Sequence, residues 1–548
     1  MKKTTKKLML GLLCGVAVLG LAACGSSGDK KSAGKGVDLP EARFKPDKEV
    51  PSWQKDTDQE ATIKWYVNFD WYAPAGWGKD VVTRKIKEDM NINVEFIVGN
   101  DEKLNTMMAS GDLPDIMTFD RQLKVAQDAE KFAIPLSTLA EKYDPYFLEN
   151  AAKKDTLKWY TKDDGQIYTY PSFSVTQADY DAGNVKGDQA LIVRKDIYEA
   201  IGKPDMSTPE GFLKALELAK VQQPKTDDGA DMIQFSGTAM DIANGGDGAF
   251  GGNLQDFLGI PLTIDGEIND RDRDPEYMKW LDILRQAYAS GYISNDQFSD
   301  NDNTIKEKLQ QGAYFAYMHT NVVGLSEFLS DNNKRNPAEE YIAIDGPKNS
   351  NGKPSFFNGG GISGWTNTFV TKETKEPQKA MEIITYLASE YGNMVQSFGI
   401  EGETYNLVDD KAVLTKEILD LKNNDFAAFN KEIGTDTYWF VADSSFAQGK
   451  GNEPSASIKD IVAWSSDKLE PRFETENIDP VAGTRMARDL TTMNTDRVQA
   501  IVAFIQAKDK KIGEKAWTDF MATRDNNGWK EITDTRNEAI KANNERLK

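Results

Sequence analysis

Histidine and cysteine are nearly missing from this chain. Among 548 residues there is one histidine, His319, and there are two cysteines, Cys14 and Cys24. That excludes zinc fingers, iron–sulfur ligation and a disulfide framework. A nucleophilic triad or dyad would have to use His319 alone. An excess of positive charge is missing too. The chain has 66 Lys and Arg against 87 Asp and Glu, a net charge of −21, and an acidic surface repels phosphate backbones. The one long apolar run, Leu8–Ala23, falls short of the roughly 20 residues that a membrane-spanning helix needs. What the chain does have is aromatic mass, with 11 Trp, 19 Tyr and 25 Phe. That is too much large apolar surface for a mostly disordered chain. At about 150 residues per domain, the length predicts three to four domains or two large ones.

The first 23 residues differ in kind from the rest. Lys2, Lys3, Lys6 and Lys7 precede the apolar run, which ends Leu21-Ala22-Ala23-Cys24 and continues Gly25-Ser26-Ser27-Gly28. Small residues before a cysteine at the end of such a run resemble the lipobox of bacterial lipoproteins, whose signal peptide is removed and whose cysteine is acylated. The plainer alternative is a secretory signal with an incidental cysteine. On the lipobox reading, residues 1–23 are the signal peptide and Cys24 is the lipidation site, holding the protein on the outer face of the cell membrane. Each buried methylene of the lipid contributes about 0.8 kcal/mol. Residues 24–58, rich in Gly, Ser, Lys, Asp and Pro, are expected to form a flexible tether.

Hydrophobic patterning predicts strands over 61–67, 92–98 and 115–119. Val81, Val82, Ile86 and Met90 place a helix between the first two. Leu104, Met107 and Met108 place another over 103–110, stopped at Gly111. Alternating strands and helices with short connections predict a parallel sheet covered by helices. Thr208-Pro209-Glu210 and Asp274-Pro275-Glu276 each supply an N-cap, a proline at the first helical position and an early acid. A further helix is expected over 379–391, ending at Gly392.

Four segments then carry a resemblance. They are 107–116 with its Gly111-Asp112-Leu113-Pro114-Asp115-Ile116 turn, Gly165-Gln166-Ile167-Tyr168-Thr169-Tyr170-Pro171, 191–197 with Thr208-Pro209-Glu210-Gly211-Phe212, and Gly399-Ile400-Glu401-Gly402-Glu403-Thr404-Tyr405. In this order they resemble the extracellular solute-binding lipoproteins of bacterial ABC importers, in the carbohydrate-binding group that includes maltose-binding protein. The resemblance implies an α/β, two-lobed periplasmic-binding-protein-like fold of type II. Each lobe is a mixed sheet flanked by helices, and a hinge between them closes on a solute. The expected lobes are 60–172 with 366–440 and 190–357 with 441–548. The resemblance also implies an oligosaccharide ligand, a two-subunit membrane permease as partner, a monomer, and neither enzymatic activity, cofactor nor nucleic-acid binding.

A sugar offers hydroxyls and C–H faces, so its cleft needs aromatic platforms beside polar side chains. Open α/β sheets bind ligands at the carboxyl ends of their strands. Asn68-Phe69-Asp70-Trp71-Tyr72, continuing to Trp77, follows the first strand and makes Asp70, Trp71 and Trp77 candidates. The alternative is that both tryptophans pack the first helix. The resemblance sets Asp120 and Arg121, after the third strand, against sugar hydroxyls; without it they would be a surface ion pair at a helix start. Alternation along 314–319 puts Tyr317 and His319 on one face, with cleft and core both open. Phe173, Asp241, Asn358, Trp365, Trp439 and Trp464 are further candidates, and core packing is an equal alternative for Asp241 and the three tryptophans. Gly359-Gly360-Gly361 fits a hinge or a close backbone approach better than a phosphate loop, since no Lys-Ser/Thr pair follows. Some relatives carry a calcium loop after the helix that ends near Lys220. Here Lys225 stands where an oxygen ligand is needed, so no metal is expected. Two other classes stay open: a peptide or other polar solute in the same fold, and a surface glycoside hydrolase using two carboxylates.

Overall fold

The computed structural model describes residues 38–238, 250–435 and 437–548. Its strands, in chain order, are β1 (Ala61–Val67), β2 (Ile92–Val98), β3 (Ile116–Asp120), β4 (Ala133–Ile134), β5 (Tyr170–Pro171), β6 (Ala190–Arg194) and β7 (Ile233–Gly237). They continue with β8 (Thr263–Ile264), β9 (Glu267–Ile268), β10 (Tyr314–His319), β11 (Tyr341–Ile344), β12 (Thr366–Thr371), β13 (Tyr405–Val408) and β14 (Lys411–Leu414). The first sheet has the order β2-β1-β3-β12-β4, with β5 also paired to β12. β1 is parallel to β2 and β3, whereas β12 returns antiparallel to β3. The second sheet has the order β11-β6-β10-β7, with β10 parallel to β7 and antiparallel to β6. β8–β9 and β13–β14 are hairpins.

Each sheet has its own core. On the first, Ile63, Trp65 and Val67 of β1 bury against the helices Val81–Met90 and Pro377–Ala388, while Tyr66 points into the layer on the other face. On the second, Leu191 and Val193 of β6 pack with Phe212, Trp280, Leu281 and Phe504. The two Pro-initiated helices form as the residues dictate: Thr208 Oγ1 accepts from Gly211 N at 3.1 Å and Asp274 Oδ1 from Glu276 N at 2.8 Å.

The chain passes between the sheets at 172–189, at 356–365 and again after Val441, which packs with the first core while Ile458 packs with the second sheet. The first two passages pair with each other, Val175 N donating to Gly361 O at 2.9 Å and Trp365 N to Ser172 O at 3.1 Å. Lys153 gathers the first and third: its ammonium lies 3.0 Å from Asp179, 2.8 Å from Asp443 and 2.7 Å from Ser445 Oγ.

Two expectations need correction. The helix expected over 379–391 is two helices, Pro377–Ala388 and Glu390–Phe398. Ser389 caps the second by accepting from Gly392 N at 3.1 Å. Gly392 is no stop; a Cβ there would sit 1.8 Å from Tyr386 O. The tether is also shorter than expected. From Leu39 onward the chain straps across the first sheet's helices. Lys142 Nζ donates to Leu39 O at 2.7 Å and Arg43 pairs with Asp56 at 2.7 Å. Trp53 is buried, with Tyr386 and Tyr391 at 4.9 and 5.5 Å. Beneath the strap the fully buried Lys379 ammonium reaches Met90 O at 3.1 Å, Asp56 at 3.3 Å and Glu382 at 3.4 Å. A buried tryptophan and matched charges give 39–58 its own reason to fold.

Candidate binding cleft

β1 and β3 run parallel, so their carboxyl ends share one edge of the first sheet. β12 starts at that edge because Thr366 pairs with Asp120. Residues after β1, after β3 and before β12 therefore converge. Trp71 stacks on Trp439 at 5.2 Å, Trp439 on Trp365 at 4.8 Å, and Trp365 on Phe173 at 6.5 Å. Phe69 props the column with its ring 5.4 Å from Trp71 and Trp365 and edge-on to Trp439 at 5.0 Å. Trp439 is thus covered by rings on both sides, whereas Trp71, at the end of the column, is 60% exposed. Asp120 pins the column, accepting from Trp365 Nε1 at 3.1 Å and from Gln122 N at 2.8 Å. Asp70 is exposed beside Trp71. Phe173 sits in the left-handed region, φ +52°, with its N–H on Ala442 O at 2.8 Å.

Arg121 turns away from the column. Its Nε donates to Gly364 O at 2.7 Å and its Nη1 to Asn477 Oδ1. A groove of ≈ 1320 Å³ opens there, lined by Arg121, Tyr160, Asn358, Asn367 and the Leu490–Arg497 side of the helix Arg485–Ile505. Asn358 is exposed on the second passage, its N–H on Gln189 Oε1 at 3.1 Å. Gly361 in this passage lies against Glu476; a Cβ on it would come within 2.0 Å of the carboxylate.

The remaining candidates lie elsewhere. Trp77 donates to Ile92 O at 3.0 Å, at the amino end of β2 and so at the opposite edge of the sheet from Trp71. The Gly76–Gly78 turn has reversed the chain between them. Tyr317 is fully buried among Ile192, Ile305, Leu309 and Leu325, with Tyr314 and His319 each 5.3 Å away. Trp464 packs on Phe357 at 6.0 Å under the Lys468 ammonium. Asp241 lies outside the described residues. Three polar groups near the passages were not singled out from sequence: Asp188, Glu476 and Asn477. Asp188 accepts from Val323 N at 2.8 Å, and burial pushes its carboxyl up to about 7. A lone acid before an apolar strand carries no signal that it will be drawn in this way.

Burial pushes the His319 imidazole down to about 4, with Asp302, Lys306 and Asn321 as minor influences and Thr238 Oγ1 3.4 Å from Nδ1. Its folded value is below the unfolded one near 6.5, so its contribution to stability is complete above that pH. It is lost as pH falls from 6.5 to about 4, amounting to about 3 kcal/mol. As the one histidine, His319 gives a single pair of imidazole NMR signals, and these should titrate near pH 4; a midpoint near 6.5 would mean an exposed ring.

Among the described residues no group of three or more His, Cys, Asp or Glu is placed to hold a metal ion. In the loop compared with calcium sites, the Lys225 ammonium pairs with Asp231 at 2.6 Å and closes the turn itself. With Lys225 standing where an oxygen ligand is needed, adding or chelating calcium is expected to move the melting temperature by less than about a degree; a clear rise with calcium would place an ion in the folded state.

The chain matches the family model of bacterial extracellular solute-binding proteins over residues 74–394, and it belongs to that family. Three solved structures share its fold. The alginate-binding protein AlgQ2, crystallised without calcium ion, is 18% identical with a TM-score of 0.61. An HMO-binding, ABC-transporter-associated solute-binding protein from Bifidobacterium longum infantis is 14% identical with a TM-score of 0.62. FusA, an ABC-transporter substrate-binding protein of S. pneumoniae in complex with kestose, is 16% identical with a TM-score of 0.61. Each alignment covers 88% of this chain and 99% of the other. No curated protein matches the chain. The fold is the two-lobed α/β architecture of these binding proteins, and the protein is an extracellular solute-binding protein.

Proposed function

We propose that this is the substrate-binding lipoprotein of an ABC importer, which captures an extracellular oligosaccharide and hands it to a two-subunit permease. The observation that carries the reading is the aromatic column ending in the exposed face of Trp71, with Asp120 holding Trp365 within it; a separate groove of ≈ 1320 Å³ opens at Arg121, the next residue. Pyranose rings lie on indole faces, carboxylates accept from hydroxyls, and this groove exceeds the roughly 300–1,000 Å³ of a drug-sized ligand. Alginate, HMO and kestose, named for the three structures above, are saccharides of the same kind. The lobe of 60–172 and 366–440 closes on that of 190–357 and 441–548, as a monomer and without chemical turnover. Calorimetry against oligosaccharide and peptide panels tests this. Saccharide binding without hydrolysis is expected; peptide binding alone, or hydrolysis with turnover, overturns it.

The anchor belongs to the same reading. Residues 1–23 are a signal peptide, Cys24 carries palmitate-type acyl chains, and the protein works at the outer face of the cell membrane. The supporting sequence is the Leu21-Ala22-Ala23-Cys24 lipobox, which lies outside the described residues. Among the described residues no helix is long and apolar enough to cross a membrane. Cys24→Ala is expected to release the protein into the soluble fraction with the gel mobility of an unlipidated chain. A variant that stays in the membrane fraction with unchanged mobility removes the anchor from the proposal.

A further inference from the structure

Arg121 directs its guanidinium away from the column, to Gly364 O and to the Asn477 side chain. Asn477 follows the short turn Phe473–Thr475, which is tied to the second sheet's side of the molecule through Arg472. Arg472, just before the turn, donates to Phe356 O at 3.0 Å and pairs with the buried Asp256 at 3.3 Å. The last helix, Trp529–Leu547, holds the turn from behind: the buried Asn543 amide donates to Glu474 O at 3.0 Å and Glu476 O at 2.7 Å. The contact from Arg121 to Asn477 therefore runs from one sheet's side to the other's.

Glu476, between these anchors, grips the second passage. Its carboxylate accepts from Ile362 N at 2.7 Å, Ser363 N at 2.8 Å and the Ser363 hydroxyl. Gly361 is needed for that approach, because a Cβ would collide with the carboxylate. Phe473 seals the joint in a small cluster with Trp159 and Ile362, and Tyr160 donates to Ser363 O at 2.5 Å from the first sheet's side. A half-buried carboxylate with three donors is costly to strip, so this end of the turn moves with the passage. The Asn477 end is different. Asn477 is exposed and left-handed, φ +55°, and holds Arg121 through one side-chain oxygen that is open to water.

We propose that residues 473–477 form an interlobe latch, in which Glu476 fixes the second passage and Asn477 holds Arg121, making both positioning residues that couple the cleft to lobe closure. The proposal rests on the two-lobed fold and not on the identity of the solute. Opening the lobes separates Arg121 from Asn477 while Glu476 keeps Ile362 and Ser363. A solute that engages Arg121 competes with the latch or reinforces it, and so sets the lobes' spacing.

The test uses the full chain with no solute added, so a failure of the saccharide reading leaves it intact. Small-angle scattering reports lobe spacing, and hydrogen exchange reports the amides of Ile362 and Ser363. Asn477→Gly removes the side chain and suits the left-handed backbone. It is expected to enlarge the radius of gyration while exchange at Ile362 and Ser363 stays as in wild type. Glu476→Ala is expected to enlarge it too and to speed exchange at those two amides by about tenfold or more. Glu476→Gln, which keeps an acceptor oxygen, should restore most of the protection. An unchanged radius in Asn477→Gly overturns the latch. So does an earlier melt in Glu476→Ala with neither radius nor local exchange altered beyond that loss. If Glu476→Ala does not fold, Asn477→Gly alone decides.

Discussion

Trp71→Ala is expected to weaken saccharide binding about 30-fold or more, roughly 2 kcal/mol, while the protein melts close to wild type. The two halves of that expectation have separate causes. Trp71 is 60% exposed, so folding removes little of its surface from water and its loss costs little stability. Its partner face rests on Trp439, which Trp365 and Phe69 hold from other sides, and Trp365 is tied to Asp120. The column therefore survives the truncation, and what disappears is the platform at its end. Trp77 is the control. It hydrogen-bonds Ile92 O at the opposite edge of the sheet and packs edge-on to Tyr438. Trp77→Ala should lower the melting temperature and leave affinity alone. Calorimetry and thermal melting of both variants decide the matter; affinity lost in Trp77→Ala and kept in Trp71→Ala would place the cleft at the other edge.

The same pair of tryptophans shows which features were legible. β1 and β2 lie where the patterning of 61–67 and 92–98 puts them, and Thr208 and Asp274 cap helices as their Pro-Glu sequels indicate. These are local decisions, made by neighbours in sequence. The column is not local. Its rings come from residues 71, 173, 365 and 439, and it exists because β12 returns antiparallel beside β3 and starts at the edge where β1 and β3 end. Each ring was visible as a candidate; that they stack, with Trp77 excluded, is a consequence of topology. Tyr317 and His319 were divided between cleft and core because alternation names a face without saying what covers it. In the structure, Ile305, Leu309 and Leu325 cover it. Glu476 and Asn477 were invisible for a related reason. Their partners Ile362, Ser363 and Arg121 lie more than a hundred residues away, and no spacing rule reaches that far.

The largest stability effect is expected under the N-terminal strap. The Lys379 side chain is completely buried, with its ammonium facing Asp56, Glu382 and the carbonyls of Met90 and Asp56. Lys379→Met keeps the length and removes the charge. Asp56 retains Arg43 at 2.7 Å, so the orphan is Glu382, which then has only the Gln378 amide at 2.8 Å. Breaking a buried pair by removing one partner costs about 3–5 kcal/mol, well above a surface pair. Burial already pushes the Glu382 carboxyl up, against the pull of Lys379. Without the lysine it rises further. A carboxyl whose folded value is raised holds its proton in the folded state, so the deficit should be small in mild acid and grow as pH rises through that value. Urea midpoints for Lys379→Met at several pH values test the slope, and the double variant with Glu382→Gln should recover most of the loss at high pH. Proteolysis should cut first within 39–58, whose docking depends on Asp56. A loss below about 1 kcal/mol with no dependence on pH would mean that packing of the strap through Trp53, and not the buried charges, holds it in place.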